Sequence, residues 1–354
     1  MSHRYLITLK PLEPFFFGGE YTFGADESRK ESSRYSATST QFPQQTALLG
    51  MLRKTMLIQN GHLTMHKKGE WVDSRGRCTQ DSNYDNAKKL VGTEGFSYKK
   101  AIDLGDIESM SPLFIQTKES SYVSNAKDDG LKLKELAGAI SLGRGSQKAF
   151  IFEDFDAKNH KHFDFISIDK KRKNFSDFFE EVERVGIKKS QGGKTEEDAF
   201  FRKKGYFPRE KEKAVFSFFV TFTNPITWEK ESIVTLGADQ SSFRLTIEKT
   251  STNFEKIFAD SYEVQNYSRM VLVSETLLSQ EAYDACFFVY GSRQPYRQLT
   301  DAKHGKKSKR YYLLERGSVL YTEQLDVLEK ELNQSYLKNI GINHYLRIKG
   351  TQNV

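Results

Sequence analysis

Cysteine is nearly absent: Cys78 and Cys286 are the only two in 354 residues. A pair so far apart builds neither a disulfide framework nor a four-ligand metal site, and it suits a reducing compartment. No stretch approaches the roughly 20 apolar residues that a membrane-spanning helix needs. Met1 to Lys10 is a short mixed segment carrying Arg4, without the apolar core of a signal peptide. The expectation is a soluble, cytoplasmic chain with no membrane partner. Aliphatic content is low as well. Apolar residues make up 37%, yet Phe reaches 27 and Tyr 17, so the shortfall lies in the aliphatics. With 29% charged residues, much of the surface is left to charge, partners or long loops. The net charge of +7 permits a polyanionic partner without demanding one.

Signatures of catalysis are missing too. Gln191-Gly192-Gly193-Lys194-Thr195 ends like a phosphate-binding loop, but the position that needs the first glycine holds Lys188. No serine or cysteine sits in a nucleophile elbow. His160 and His162 are spaced for one side of a strand, with no Cys or carboxylate completing a metal set. No enzyme, metal or cofactor is expected, and there is no solenoid-type repeat.

What is present is a strand-rich α+β pattern long enough for two domains. Tyr5 to Leu9 alternates as a strand does, and a polar loop follows from Asp26 to Thr40. Leu48, Leu49, Leu52 and Met56 then recur at helical spacing, which starts a helix near Gln44 or Thr46. Residues 60–136 show little periodicity and are expected to be an insertion, with a strand core only at Pro112 to Ile115. Phe175, Phe178, Phe179, Val182 and Val185 predict an amphipathic helix closed by Gly186. Ala214 to Phe222 is the strongest strand, apolar on both faces. The domain boundary is placed before it, giving units 1–213 and 214–354. Its Phe219-Val220-Thr221-Phe222 resembles the tail of a base-stacking sheet motif but reads as core. Further strands are expected at Ser242 to Glu248, Arg269 to Ser274, Cys286 to Tyr290, Tyr311 to Leu314 and Gly317 to Thr322.

Two stretches interleave cations with rings, the ingredients of single-strand binding. One is Tyr290 to Arg297, with Arg293, Tyr296 and Arg297. The other runs from Lys303 through Arg310 to Tyr311 and Tyr312.

In order, these pieces resemble the RAMP superfamily of CRISPR proteins. The likeness begins at Lys10-Pro11-Leu12-Glu13-Pro14-Phe15-Phe16-Phe17 and continues at Pro43-Gln44-Gln45-Thr46 with the Gly50-Met51-Leu52-Arg53 helix. Arg184 to Ile187, Leu236-Gly237, Arg316 to Tyr321 and Asn339 to Asn343 extend it over most of the chain. Leu236-Gly237-Ala238-Asp239 stands where the family tends to show a longer Gly-rich loop. The resemblance is to the handle-binding subunit of the type III-B (Cmr) interference complex. It implies two tandem ferredoxin-like (RRM-like) domains, the first carrying the long insertion. It also implies a non-catalytic subunit that grips the repeat-derived 5′ handle of the guide RNA. That subunit would bridge a large polymerase/cyclase-type subunit to the backbone RAMP subunits.

The RNA contacts implied are the helix start at Gln44, Gln45 and Thr46, and the cations Arg34, Arg53 and Arg144. Lys188, Lys189, Arg293 and Arg297 complete them. Two alternatives stand beside this reading. One is a metal-independent endoribonuclease acting on CRISPR repeat RNA, with His3 or His62 as its histidine. The other is a structural bridge that touches little RNA.

Overall fold

The first strand, His3–Pro11, shows how the sheet is built. Tyr5, Ile7 and Leu9 are buried while Leu6 and Thr8 are only partly covered, the period-2 signature of a strand whose two faces differ. The computed structural model describes residues 3–18, 21–23, 35–63, 65–67, 70–72, 82–92, 95–136, 140–141, 146–147, 149–153, 155–156, 158, 162–189, 195–237, 239–297, 299–301, 306–307 and 309–351. His3–Pro11 lies between two antiparallel neighbours, with Ile7 opposite Phe218 of Val215–Phe222 and Ile247 of Ser241–Lys249. Beyond Ser241–Lys249 lies Glu231–Leu236, an edge of the sheet. On the other side Ile107–Met110 and Phe114–Gln116 run in succession along Val215–Phe222. Ser121–Ser124, Phe165–Ser167 and Arg172–Lys173 finish this nine-stranded sheet.

The break between Ile107–Met110 and Phe114–Gln116 has a local cause. Pro112 has no N–H to give the ladder. Ser111 takes over, its amide donating to Phe219 O at 2.8 Å and its hydroxyl accepting from Phe219 N at 2.9 Å.

A second sheet holds Cys286–Tyr290, Val319–Thr322, Arg269–Leu272 and Tyr345–Ile348 in that order, all antiparallel. Along the chain its elements run Arg269–Leu272, helix Gln280–Asp284, Cys286–Tyr290, Val319–Thr322, helix Leu325–Leu332, Tyr345–Ile348. That is a β-α-β-β-α-β sequence, with the hairpin Arg293–Tyr296/Tyr311–Leu314 inserted before the third strand. The first sheet has the same central order: 241–249, 3–11, 215–222, 107–116. Its helix Gln45–Gln59 follows the first strand, but the edge strand Glu231–Leu236 stands where a second helix would come.

The packing makes four layers. Leu48, Leu49, Leu52 and Met56 of the first helix share a core with Ile7, Leu9, Phe218 and Leu245. On the opposite face Phe114, Val123 and Phe219 meet Val271, Val319, Tyr321 and Ile348 of the second sheet. Behind that sheet, Met270, Leu272 and Leu320 pack on Ala282, Leu328 and Leu332 of its two helices. Val215–Phe222 and Arg269–Leu272 are thus covered on both sides, which explains their near-continuous burial.

Three expectations need correcting. Val215–Phe222 is hydrogen-bonded to His3–Pro11, so a division before Ala214 falls between strands of one sheet. Residues 107–124 are not an insertion. They supply strands of the central sheet, and Ile107, Met110, Phe114 and Ile115 are each at most 2% exposed. The helix expected over 175–185 is a single turn, Phe175–Phe178, opened by a capping box between Asn174 and Asp177. From Phe179 the backbone is extended to Lys189 and pairs with Thr195–Pro208 in a long hairpin. Only Phe175, Phe178 and Phe179 of the apparent helical stripe are buried, and Val185 is 61% exposed.

Candidate nucleic-acid interface

The site is built around the start of the Gln45–Gln59 helix. Its N-cap, Gln44, is extended and makes no side-chain cap, and the first turn holds no acidic residue. A helix start in this state offers backbone donors and partial positive charge to an anion. Gln45 is 2% exposed, and its Nε2 donates to Ser111 O at 3.2 Å and to Gly341 O at 3.1 Å. Gly341 has φ +83°, and a Cβ there would lie 2.2 Å from that nitrogen and 2.7 Å from Ser111 O. Only glycine lets this turn approach so closely. The amide therefore ties together the helix start, the break in the first sheet and a turn of the second half.

Thr46 Oγ1 lies 2.9 Å from the hydroxyl of Tyr296. Tyr296 comes from the inserted hairpin and meets Tyr98 edge-on at 5.2 Å, while Tyr98 tilts against Tyr311 at 4.8 Å. Burial pushes the phenols of Tyr98 and Tyr296 up, so both keep their protons at neutral pH.

Two adjoining clefts flank this joint. The first, of about 570 Å³, is walled by Thr40 to Phe42, Gln44, Gln45, Asn125, Lys127, Gln294 to Tyr296 and Arg316. The second, of about 730 Å³, runs over the exposed side of the helix at Ala47, Gly50 and Lys54 to Gly18, Gly237 and Arg293. Thr40, Gln44, Gln294, Pro295 and Glu315 line both, so they form one groove bent around the helix start. Its cations differ in freedom. Arg316 is held by Glu275 at 2.8 and 3.0 Å, donates to Leu113 O at 2.9 Å and lies 4.5 Å over the ring of Phe42. Lys127 pairs with Glu315. Lys54 and Arg293 are exposed, the latter 4.2 Å over the ring of Tyr283.

The residues expected from sequence divide accordingly. Gln44, Gln45, Thr46 and Arg293 meet at the groove or directly beneath it. Arg297 is exposed one residue past Tyr296, outside both clefts. Arg53 is half-buried and donates from Nη2 to Asp103 O at 3.0 Å, clipping the helix to a neighbouring loop. Lys188 and Lys189 end the Phe179–Lys189 strand far along the hairpin, and their side chains lie outside the described residues. Arg34 and Arg144 lie wholly outside them, as do Lys194 and its glycines. Phe219 to Phe222 are core, all under 7% exposed. Sequence reasoning missed Lys54, Lys127, Arg316 and Tyr98. Lys54 was within reach, since Ala47, Gly50 and Lys54 share one face at helical spacing. Among the described residues no three His, Cys, Asp or Glu side chains gather as a metal site, and no helix is long and apolar enough to cross a membrane.

The sequence matches no family model and no curated protein. Its structure is similar to a chain of the type III-B Cmr-beta complex bound to cognate target RNA, with a TM-score of 0.50 and 14% identity over 97% of this chain and 96% of that one. The chain has the fold of a type III-B CRISPR complex subunit. A chain of the same complex bound to target RNA and AMPPnP gives a TM-score of 0.49 at 15% identity, over 98% of this chain and 99% of that one. A chain of the Csm3-Csm4 subcomplex of a type III-A interference complex gives 0.43 at 11%, over 90% and 93%. The first of these likenesses meets the sequence resemblance at the level of a type III-B subunit's fold.

Proposed function

We propose that the chain is a non-catalytic RNA-binding subunit of a type III CRISPR effector complex, holding the 5′ handle of the guide RNA in the bent groove. In this reading the two sheets are tandem ferredoxin-like units. The chain bridges the large polymerase/cyclase-type subunit to the backbone subunits. The observation that carries the reading is the uncapped helix start at Gln44–Thr46, which opens into a groove flanked by Lys54 and Arg293. Backbone donors and exposed cations suit phosphates, while Pro295 and the nearby rings offer apolar surface to bases. The likeness of fold to a chain from an RNA-bound type III-B complex supports the same reading. A subunit that holds the constant handle leaves the guide segment free, so target choice rests on base pairing.

The test is RNA affinity against salt, using the RNA that copurifies with the protein after it is sequenced and resynthesised. Each phosphate neutralised on a single strand contributes a slope of about −0.7 in log affinity per log salt. Lys54→Ala and Arg293→Ala should each lower the wild-type slope by about one such contact. The double variant should then lose about sevenfold less affinity than wild type between 50 and 200 mM salt. Identical slopes in all four proteins would move the RNA elsewhere, and no affinity for the RNA at all would end the proposal.

A further inference from the structure

We infer that the first cleft takes a guanine base of the RNA strand, with Glu315 accepting from its N1–H and exocyclic amine and Lys127 donating to its O6. The inference rests on the groove being an RNA site and assigns the base that this part of it reads.

The two clefts differ in charge. Among the described residues, the second sets Lys54 and Arg293 against one carboxylate, Glu315. The first sets Asp164, Glu275 and Glu315 against Lys127 and Arg316, and Arg316 is forked onto Glu275. Phosphates of a strand therefore belong in the second cleft, and a neutral base suits the first. Its volume of about 570 Å³ lies within the range of small-molecule pockets. Exposed Pro295 and half-buried Phe42 give it apolar surface.

Glu315 stands where the clefts meet and lines both. Its side chain is 26% exposed and that of Lys127 24%, so a ligand can reach both. They are also held in place. Lys127 Nζ donates to Oε2, and Gln294 Nε2 donates to Oε1 at 2.8 Å in a bond at the surface. Behind them the amide of Glu315 donates to Ser292 O at 3.0 Å. The result is a fixed row of an ammonium followed by two carboxylate oxygens. Each oxygen can accept a second bond. Nζ keeps a hydrogen beyond those it turns to Glu315 and to Ser292 Oγ, 3.4 Å away.

That row narrows its ligand. A carboxylate repels phosphate, so what it meets must bring donors. Guanine alone among the four bases shows acceptor, donor, donor in this order, as O6, N1–H and the amine. Adenine and cytosine put a ring nitrogen acceptor where the N1–H is needed. Uracil has a ring N–H but a carbonyl on each side of it, and one of them would meet Oε1.

The test is a base scan of the copurifying RNA, resynthesised with one change per strand. Guanines are replaced in turn by inosine, which lacks the amine, and by 2-aminopurine, which lacks O6 and N1–H. Uracils are replaced by N3-methyluracil. Wild type should show one guanine at which either change lowers affinity by about five- to a hundredfold. Glu315→Asp keeps the charge but withdraws it by one methylene, and Glu315→Gln removes it. In both variants guanine and its analogues should bind within about twofold of one another at that position. Each variant is compared with wild type by thermal melting before use. A purely structural role for Glu315 would shift all strands alike, so sensitivities equal in wild type and both variants overturn the inference. So does a scan with no sensitive guanine, or one whose sensitive base is a uracil, and in each case the groove still stands as an RNA site. Failure of wild type to bind the RNA removes the groove and this inference together.

Discussion

Gly341→Ala should weaken the joint beneath the groove, and the cost can be built from its parts. The residue sits at φ +83°, where a side chain costs about 1–2 kcal/mol. The added methyl would lie 2.2 Å from Gln45 Nε2, so the amide must withdraw. Two hydrogen bonds then go, at about 1 kcal/mol each. The total is about 3–4 kcal/mol, a large share of the 5–15 kcal/mol typical of a folded protein. For a chain of this size that corresponds to a melting point lower by about 4–5 °C. Calorimetry of Gly341→Ala, Gln45→Ala and the double variant measures it. In the Gln45→Ala background the amide is already gone, so Gly341→Ala should cost at least 1 kcal/mol less, apart from the remaining approach to Ser111 O. Costs that add to within about 0.5 kcal/mol would refute the amide contact as the reason for this glycine.

Two further outcomes are expected. Arg53→Met should lower stability by about 1–2 kcal/mol through loss of the bond to Asp103 O, while leaving the salt slope of RNA binding at its wild-type value. A reduced slope would put Arg53 back among the phosphate contacts. Asp129 should govern the acid limb of stability. Burial alone would raise its carboxyl, but the Arg172 fork at 2.6 and 2.9 Å and the Asn125 amide at 2.9 Å hold it below the usual carboxylate range. A carboxylate held below its unfolded value of about 4 stabilises the fold above that pH and ceases to do so as pH falls through the lowered value. Asp129→Asn should therefore melt lower at pH 7 and flatten the fall in stability below about pH 4. An unaltered acid limb would assign that fall to other carboxylates.

Legibility in the sequence followed how local each signal was. His3–Pro11 and Ser241–Lys249 alternate cleanly because each buries one face against the helix layer, and the Gln45–Gln59 helix keeps its apolar stripe from Leu48 to Met56. Val215–Phe222 was correctly read as doubly buried, although its partners were assigned to the other unit, since strand pairing leaves no local mark. Ile107–Met110 was hidden because it is only four residues long, while Phe114–Gln116, glimpsed as a strand core at Pro112 to Ile115, carried no sign of its place in the central sheet. The 175–185 stripe misled because aromatic and β-branched residues at helical spacing also suit a hairpin when a partner strand is available. That partner, Thr195–Pro208, is a tertiary fact. At the site, Gln44–Thr46 could be singled out from the helix-start pattern. The working of Gln45 could not, because the carbonyl that orients it belongs to Gly341, 296 residues away.

The groove owes its shape to both halves of the chain, so whatever fixes one sheet against the other also fixes the groove. The first half supplies the helix start and the Asn125–Lys127 wall, and the second supplies Arg293–Tyr296 and Arg316. Directly behind Lys127, Asp128 is fully buried. It lies 3.0 Å from Arg269 Nε, accepts from the Tyr321 hydroxyl, and is joined by Gln265, which donates to its carbonyl at 3.4 Å. Tyr262 donates to Ser124 O on the same turn, and Lys127 N donates to Gly317 O at 2.8 Å. A buried ion pair adds little stability, since desolvation offsets most of its attraction. Geometry is another matter. The apolar faces of Phe219 and Val271 would tolerate small slides between the sheets, because dispersion and burial have no direction. A buried carboxylate with an arginine and a phenol on it does not, because any slide leaves charge unpaired in a medium of low polarity. The polar turn at 124–129 therefore sets the register of the two sheets. Through Lys127 and Asn125 it also sets the width of the first cleft.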